Sequence, residues 1–393
     1  MAAATAARAG LKVALLEKFP LPRHKTCGGG TPMVMQDFLW GLAPEAMVEA
    51  QISQMRHTWN FDDPYLAAIN PPDTQRSLSI WMVQRPLFDH ILVKRAVEAG
   101  AELRDGLVVR SLERQTDGVL VRAETWQSAT VTAGKTAFVA TARYVIGADG
   151  ANGIVAKVAN LRPRRTIALA MEVEHPHQWG SGHPSLQPEI AHLEYNVPRG
   201  YAWAFPKADH LNVGAIVFPK QRYALPDCPK LAATLKQLIF AYLDALELSY
   251  DPDAMVFHAH PLPIWQGREP LHTSDGSILL AGDAAGLINP FFGDGILHAV
   301  KSGEIAANCL IADQPLSYSD RIHDEFAANF DAALTLSRFF YQFPGICYQY
   351  GVKNPKAARL ATELICGELS FPGILDRALG RIRQATTGRL FGK

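Results

Sequence analysis

The 393-residue chain has the composition of a globular protein, with 48% hydrophobic and 19% charged residues. At roughly 150 residues per domain this length predicts two or three domains, and such a chain can bury a core without disulfides or metals. The 38 basic and 38 acidic residues give zero formal net charge. This balance argues against nucleic acid as the main partner, because phosphate binding needs a basic surplus or patch.

Cysteine spacing and hydropathy further narrow the possible classes of protein. The five cysteines stand at positions 27, 228, 309, 347 and 366, and no pair has CxxC spacing. This pattern disfavours a zinc ribbon or thioredoxin-type site, the histidines form no metal-ligand motif, and no metal is predicted. No uncharged apolar run reaches about 18 residues, and the N-terminus lacks the features of a signal peptide. The sparse cysteines also suit a reducing compartment, so we expect a cytoplasmic enzyme.

In chain order, the first part of the sequence alternates helical and strand-like segments. The predicted elements are a helix over 1–9, a buried strand over 12–17, a loop over 18–32, a mostly helical stretch over 33–57, a strand over 80–83, an amphipathic helix over 85–99 and a strand from 101. Strands over 107–112 and 119–124 are predicted to form a hairpin, because Thr116-Asp117-Gly118 supplies a turn between them.

The second part turns from strands to helices. Strands are predicted over 138–142, 144–148, several short segments of 166–218 and 277–281, with helices over 230–248, 294–311 and from 319 onward, interrupted at Pro344, Pro355 and Pro372. This order predicts a discontinuous nucleotide domain with an inserted sheet domain and a helical tail. We assign the first to 1–60, 85–165 and 270–318, the second to 61–84 and 166–269, and the tail to 319–393.

The first candidate motif is the helix–Gly10–strand–Glu17 unit. In a dinucleotide-binding βαβ unit, an acidic residue at the end of the second strand hydrogen-bonds the ribose, about 20 residues beyond a glycine-rich loop. Only 16 residues precede Glu17, and they contain no GxGxxG. The sequence therefore carries the second half of this fingerprint without the first, and an ordinary helix–strand pair with a surface acid explains it equally well.

Two later strands run into glycine-rich turns. One ends in Ala148-Asp149-Gly150, which taken alone is a plain strand–turn. The other delivers Asp283 to a loop, and Gly293-Asp294-Gly295-Ile296 then opens a helix. A helix N-terminus favours partial negative charge, such as that on the N1/O2 edge of a reduced flavin. The second segment is the more specific signal, because strand, acid, loop and helix start follow in one order.

Together these motifs resemble the FAD-binding signatures of the flavoproteins related to p-hydroxybenzoate hydroxylase, whose Arg-x-x-Phe-Asp pattern is matched by Arg85-Pro-Leu-Phe-Asp89. The resemblance implies an α/β protein: a three-layer, discontinuous Rossmann-like FAD domain, an inserted antiparallel β-sheet substrate domain and a C-terminal helical region. The implied cofactor contacts are Glu17 at the adenosine ribose, Arg85 at the FAD, Val109 at the adenine, Asp149 near the pyrophosphate, Asp283 at the ribityl or pyrophosphate part, and Gly295 and Ile296 at the isoalloxazine.

Two further segments make the chain similar to the geranylgeranyl reductase family. They are Lys25-Thr-Cys27-Gly28-Gly-Gly30 and the P-x-x-Y-x-W-x-F-P strand at 198–206. The helical tail matches through FYQFP at 340–344 and GELSF at 367–371, so the resemblance covers essentially the whole chain. It implies that Cys27, Gly28 and Gly30 lie at the flavin, and that NADPH or reduced ferredoxin is the electron donor.

The aromatic strand has its own physical logic. Tyr201, Trp203 and Phe205 alternate with alanines, so a strand places the three rings on one face. Such a face either packs inside a sheet core or lines a long apolar cavity. Because the family pattern is matched in full, we predict a substrate cavity wall that would accommodate an isoprenoid chain.

Cys27 is the candidate catalytic residue. A glycine-flanked loop can bring a thiol close to a flavin, and the resemblance implicates this cysteine in reduction, as a proton donor or gate. A thiol serves as a general acid only when its pKa lies near the working pH. The alternative role is that of a small apolar filler.

We therefore hypothesise an FAD-dependent oxidoreductase that reduces isolated C=C bonds of a geranylgeranyl or other isoprenoid substrate, as a free diphosphate, a chlorophyll ester or a lipid. The alternatives are an FAD-dependent monooxygenase of the same superfamily and a cofactor-free lipid-binding relative. The expected partners are a lipid-like small molecule and an electron donor, not nucleic acid. For the aromatic cluster at 339–348 three roles stay open: capping the cavity, touching a membrane surface, or packing on the main body.

Overall fold

Short strands make up most of the first two thirds of the molecule, and helices make up the last third. The computed structural model describes residues 1–70, 78–126, 137–180, 183, 185–220 and 228–374. The strands are β1 Ala14–Leu16, β2 Gly30–Pro32, β3 Val48–Ile52, β4 Gln54–Trp59, β5 Asp62–Ala68, β6 Ile80–Val83, β7 Glu102–Arg104, β8 Leu107–Gln115, β9 Gly118–Thr125, β10 Ala137–Ala142, β11 Val145–Gly147, β12 Thr166–Pro176, β13 Ile190–Val197, β14 Gly200–Pro206, β15 His210–Val217, β16 His258–Ile264 and β17 Ile278–Leu280. The α-helices are α1 Ala2–Arg8, α2 Arg85–Glu98, α3 Val155–Val158, α4 Cys228–Ala245, α5 Ile296–Ile311, α6 Tyr318–Gln342, α7 Pro344–Cys347 and α8 Pro355–Ile365.

Parallel strand pairs and a hairpin sheet form one half of the molecule. β1 pairs in parallel with β7, and β11 pairs in parallel with β17. β8, β9 and β10 form an antiparallel sheet, with the predicted turn between β8 and β9. Strands that are buried on both faces read as continuous apolar runs, and Ile278, Leu279 and Leu280 are fully buried in one core with Phe326 and Phe330 of α6. The mixed α/β class is confirmed.

A seven-stranded sheet forms the other half, in the order β16-β12-β15-β14-β13-β4-β5. All neighbours are antiparallel except β13 and β4. One face packs against α4, with Ala202, Ala204 and Val213 buried in the same core as Leu235 and Leu243. Because side chains alternate across a strand, Tyr201, Trp203 and Phe205 leave from the opposite face, which α4 does not cover.

The helical prediction for 33–57 is wrong. Only 3₁₀ turns occur there, at Met33–Phe38 and Pro44–Ala46, and β3 and β4 follow. β3 pairs with β6, and β4 joins the seven-stranded sheet. Alanine, glutamate, glutamine and methionine favour helices only weakly, and pairing with distant strands overrides that preference. As a consequence, the sheet takes a strand from before residue 61, where we had predicted the nucleotide domain.

The C-terminal helices follow the predicted prolines. Pro344 and Pro355 are the first residues of α7 and α8, where the missing N–H costs no helical hydrogen bond. The predicted helical segment beyond residue 374 lies outside the described residues. Within the aromatic cluster, Tyr341 and Tyr348 are buried whereas Phe339, Phe343 and Ile346 are exposed, so membrane contact stays a prediction. None of the helices described is long and apolar enough to cross a bilayer.

Gly214→Ala should destabilise the sheet. A Cβ at this position would lie 2.3 Å from the Trp203 ring and 2.6 Å from the carbonyl oxygen of Met171. We expect the free energy of unfolding to fall by about 1–3 kcal/mol in urea titrations. Gly351→Ala is the control, since nothing lies within 4 Å of its Cβ position. Equal stability of the two variants would contradict the tight packing of Trp203 over β15.

Candidate active site

A cavity of about 820 Å³ lies against the uncovered face of the seven-stranded sheet. The loop around Cys27 and the start of α5 close one end, and α6 to α8 close the other. Among the residues described, no charged side chain of α6 to α8 lines it. The residues that the sequence predicts for the cofactor or the substrate cavity and that line this cavity are Cys27, Gly28, Gly30, Arg85, Tyr201, Trp203, Phe205, Asp283, Gly295 and Ile296.

Glycines shape the wall at the start of α5. The helix begins at Ile296, two residues later than predicted, with Gly295 preceding it. Gly293 has φ of 76°, a left-handed conformation that glycine adopts without strain. Oδ1 of Asp294 is buried and has no hydrogen-bond partner in the described structure. A buried acceptor without a partner is unusual and suits a ligand that brings a donor.

Asp283 lies in a cluster of charged groups at the same end. Its Oδ2 is 3.7 Å from Nζ of Lys25 and 3.6 Å from Nε2 of His260. Burial by itself would raise the pKa of Asp283, but the nearby His260 ring and the Lys25 ammonium more than offset burial and lower it. The carboxylate is therefore ionised at neutral pH, and it can accept hydrogen bonds from ligand hydroxyls.

Arg85 and Asp89 form a second ionic group, one turn apart on α2. Nε and Nη2 of Arg85 donate to the two carboxylate oxygens of Asp89 at 2.7 and 2.9 Å. Burial opposes the charged form of Arg85, but Asp89 and the sulfur of Cys27 raise its pKa. Burial likewise opposes ionisation of Asp89, yet Arg85 and Arg23 lower its pKa. Arg23 then joins Asp89 to Glu17, 2.9 and 3.2 Å from their carboxylates.

The Cys27 loop is held by backbone contacts. The N–H of Gly29 donates to Sγ of Cys27 at 3.4 Å, and Gly29 has φ of 75°. A Cβ at Gly29 would lie 2.1 Å from the carbonyl oxygen of Val83, so only glycine fits this close approach. The same carbonyl and that of Gly28 accept hydrogen bonds from Nζ of Lys207, at 3.0 and 2.8 Å.

The aromatic strand β14 forms the side wall. The Trp203 and Phe205 rings are stacked with centroids 6.0 Å apart, and the Tyr201 ring lies 6.1 Å from Trp203. The Tyr201 hydroxyl donates to the carbonyl of Phe292, and Nε1 of Trp203 donates to Oδ1 of Asn212 at 2.7 Å. Their polar atoms are thus hydrogen-bonded within the protein, which leaves the ring faces as an apolar surface.

Three predicted cofactor residues lie outside the cavity lining. The Glu17 carboxylate accepts from Arg23 and from the backbone N–H of Phe19. Asp149 accepts from the N–H of Val155 at 2.9 Å, at the start of α3. Val109 is partly buried and packs against the core that contains Ile278 and Leu280. Their cofactor roles, like those of the lining residues, stay predictions.

Several polar residues at or beside the site are not among the predicted site residues: Arg23, Lys25, Glu172, Lys207 and His260. Arg23 and Lys25 belong to the Cys27 loop. Two basic residues spaced two apart in that loop were the available sign of a charged site. His260, one of the histidines that form no metal-ligand motif, lines the cavity beside Asp283. Glu172 and Lys207 reach the Cys27 loop only through the register of distant strands, which leaves no local signal.

Comparison with known proteins matches the FAD binding domain family over residues 1–312. The geranylgeranyl diphosphate reductase of Rhodobacter capsulatus is 31% identical over 78% of this chain and 70% of that protein. The digeranylgeranylglycerophospholipid reductase of Methanocaldococcus jannaschii is 27% identical over 97% of this chain and 87% of the relative. The chain belongs to the geranylgeranyl reductase-like FAD-dependent oxidoreductases.

Solved structures show the same fold. A geranylgeranyl bacteriochlorophyll reductase-like protein of Thermoplasma acidophilum superimposes with a TM-score of 0.70 at 19% identity, over 86% of this chain and 84% of that one. A flavin-dependent brominase superimposes with a TM-score of 0.69 at 18% identity, over 98% and 96% of the two chains. The architecture is therefore shared across several flavin chemistries.

The residues present in this oxidoreductase fit FAD. The ionised Asp283 and the unpaired Oδ1 of Asp294 are acceptors suited to the ribityl hydroxyls. Gly293 and Gly295 keep side chains away from the start of α5, where free N–H groups favour a partial negative charge. Gly28 likewise leaves backbone exposed to the cavity. FAD would supply hydride transfer there.

Asp89→Asn tests the ionic group beside the cavity. The change leaves the buried Arg85 without its carboxylate, and we expect the free energy of unfolding at pH 7 to fall by roughly 3 kcal/mol. The pKa of Asp89 is lowered from its ordinary value of 3.8 in the folded protein. Its contribution is therefore fully present above that value and is lost as pH falls through the folded pKa.

Urea titrations of both proteins should give a constant difference from pH 5 to 8 that narrows only below about pH 4. Glu102→Gln is the control, because Glu102 and Arg104 form an exposed pair in which each side chain is 52% accessible. We expect that variant within about 0.5 kcal/mol of wild type. A difference that grows on acidification would contradict the assignment.

Proposed function

We propose that this oxidoreductase reduces isolated C=C bonds of a geranylgeranyl-type chain, carried on a diphosphate, an ester or a lipid. The observation that carries the proposal is one continuous cavity with two chemically different ends. Ionic groups and glycines stand at the end with Cys27, Asp283 and Gly295, and apolar side chains of α6 to α8 line the other. The apolar end suits a hydrocarbon chain, whereas the charges of a diphosphate placed there would be left unpaired.

The proposed reaction requires a proton as well as a hydride. An isolated alkene has no carbonyl to take up negative charge, so two C–H bonds form as the π bond breaks, one from a hydride and one from a proton. FAD, when bound and reduced, would supply the hydride, and NADPH or a reduced ferredoxin is the proposed source of its electrons. The protein orients the chain, excludes water and holds the proton.

Cys27 is the proposed holder of that proton. Its sulfur accepts from the N–H of Gly29 and borders the cavity close to Arg85. The faces of Trp203 and Phe205 line the adjoining wall. Aromatic faces attract positive charge, so they favour the carbon that becomes cation-like as its neighbour takes up the proton and that then accepts the hydride. The apolar lining keeps water from competing for that carbon.

The function is tested with the full chain after reconstitution with FAD. Flavin absorbance of the purified protein reports binding, and anaerobic reduction with dithionite removes dependence on a particular electron donor. Geranylgeranyl diphosphate is then added, and mass spectrometry of the product should show a gain of two hydrogens per reduced bond. A gain of one oxygen in air would indicate a monooxygenase, and absence of flavin after reconstitution would exclude both activities.

Ala361→Phe should shorten the cavity at its apolar end. Ala361 lies on α8 and lines the cavity, so a phenyl ring there occupies space that we assign to the far end of the chain. We expect KM for geranylgeranyl diphosphate to rise at least about tenfold, with little change for the shorter geranyl diphosphate. Ala328→Phe on the exposed side of α6 is the control. An equal change in KM for both substrates would show that the isoprenoid chain binds elsewhere.

A further inference from the structure

Buried polar groups with no assigned role converge beneath the Cys27 loop. Glu172, Asn212 and Lys207 are 1%, 2% and 2% exposed, although residues of these types are rarely buried so completely. A buried carboxylate or ammonium costs free energy unless it is fully hydrogen-bonded. Glu172 lines the cavity, and Asn212 and Lys207 lie beside the lining residues Trp203 and Gly28, so their burial calls for a role.

Glu172 joins the loop to the aromatic wall through one intermediate residue. Oε1 of Glu172 accepts from the backbone N–H of Cys27 at 2.8 Å, and Oε2 accepts from Nδ2 of Asn212 at 3.1 Å. Oδ1 of Asn212 in turn accepts from Nε1 of Trp203 at 2.7 Å. The backbone of Cys27 and the ring of Trp203 are thereby connected by three hydrogen bonds in series.

Strand register explains why these groups meet. Glu172 of β12 and Trp203 of β14 are each paired with Gly214 of the intervening β15. Because Gly214 has no side chain, the Trp203 ring lies across it, 2.3 Å from where a Cβ would be. The three positions therefore form one row across the sheet, and Asn212, two residues from Gly214 on β15, bridges its ends.

We propose that the Glu172–Asn212 pair is a positioning bridge that holds the Cys27 backbone in register with Trp203, and so sets the thiol relative to the chain lying on that ring. Glu172 is a positioning residue and not a catalytic one, because it acts through the Cys27 amide. The kinetic part of this inference rests on the proposed function, whereas the structural part does not. Lys207 supports the loop from the other side, through the carbonyl of Gly28.

The bridge depends on the charge of Glu172. Only the ionised carboxylate can accept from Cys27 and Asn212 with both oxygens and need no acceptor of its own. Burial raises the pKa of Glu172 to about 7, against the hydrogen bonds from Asn212 and Cys27 and the charge of Lys207. The other titratable groups around it are Glu174 on the same strand and His258, paired with it on β16. Acidification through about pH 7 should therefore loosen the loop.

A swapped pair of substitutions separates this bridge from simple packing. In Glu172→Gln the new amide group faces the Asn212 amide, so two donors meet and one bond is lost. In Asn212→Asp two carboxylates face each other. The double variant Glu172→Gln/Asn212→Asp restores every donor to an acceptor: Cys27 N–H to Gln Oε1, Gln Nε2–H to Asp, and Trp203 Nε1–H to Asp. Shape and volume are nearly unchanged throughout.

The primary readout is hydrogen exchange of the Cys27 amide, from peptic fragments that end on either side of it, relative to intrinsic rates. Each single variant should lose protection at least about tenfold, as expected for one lost hydrogen bond to a charged group, and the double variant should recover to within about threefold of wild type. Protection in wild type should fall as pH is lowered from 8 to 6. Protection in Glu172→Gln should not change over that range.

Kinetics with the FAD-loaded enzyme provide the second readout. Loss of positioning should lower kcat in the single variants with little change in KM, and the double variant should recover it. Should one single variant fail to fold, the other single variant and the double variant carry the test. Wild-type protection in Glu172→Gln, or a double variant as impaired as the singles, would overturn the bridge. Altered exchange without any reductase activity would count against the proposed function alone.

Discussion

Every feature of the site depends on the two-sidedness of the seven-stranded sheet. Alternate side chains of β12 to β15 close a core with α4 and cannot contribute to any site. The remaining side chains leave from the face opposite α4, where Tyr341 of α6 packs against part of them. The burial of the others requires further elements to close over them. The Cys27 loop, the start of α5 and the helices α6 to α8 do this from the edges and leave a cavity of about 820 Å³ between. The cavity exists because this face carries large rings next to alanine and glycine.

The distribution of charge along that cavity follows from where the chain enters it. The loop before β2, the start of α2 and the turn after β17 all reach the same end, and they bring Lys25, Arg85 and Asp283. Each ion is paired or hydrogen-bonded within the group, which is the condition under which charges persist at buried positions. At the other end His57 is kept neutral, because burial lowers its pKa to about 4. A ligand lying in the cavity therefore passes from an ionic to an apolar environment.

Local patterns predicted those parts of the site that are contiguous in sequence. The alternation of Tyr201, Trp203 and Phe205 requires only strand geometry, and the order of strand, Asp283, glycines and helix requires only a strand–loop–helix unit. The error at 33–57 and the omission of Glu172 and Lys207 have a common cause. Helix-favouring residues in β3 and β4 pair with strands far away in sequence, and Glu172 meets Cys27 across 145 residues. Register between distant strands is a property of the whole sheet, which no local window contains.

The same register makes the polar row beneath Cys27 more than a packing detail. A mobile glycine loop would give the thiol many positions, and each residue fixed in one backbone conformation costs about 1–2 kcal/mol of entropy. Gly29 makes the turn sterically accessible, while Lys207 and Glu172 supply hydrogen bonds that hold it. These bonds end on a carbonyl, an amide and the Trp203 indole N–H. They therefore involve neither the Cys27 thiol nor the faces of the aromatic rings. The loop is thus held by groups behind the surface that borders the cavity, and that surface itself stays open.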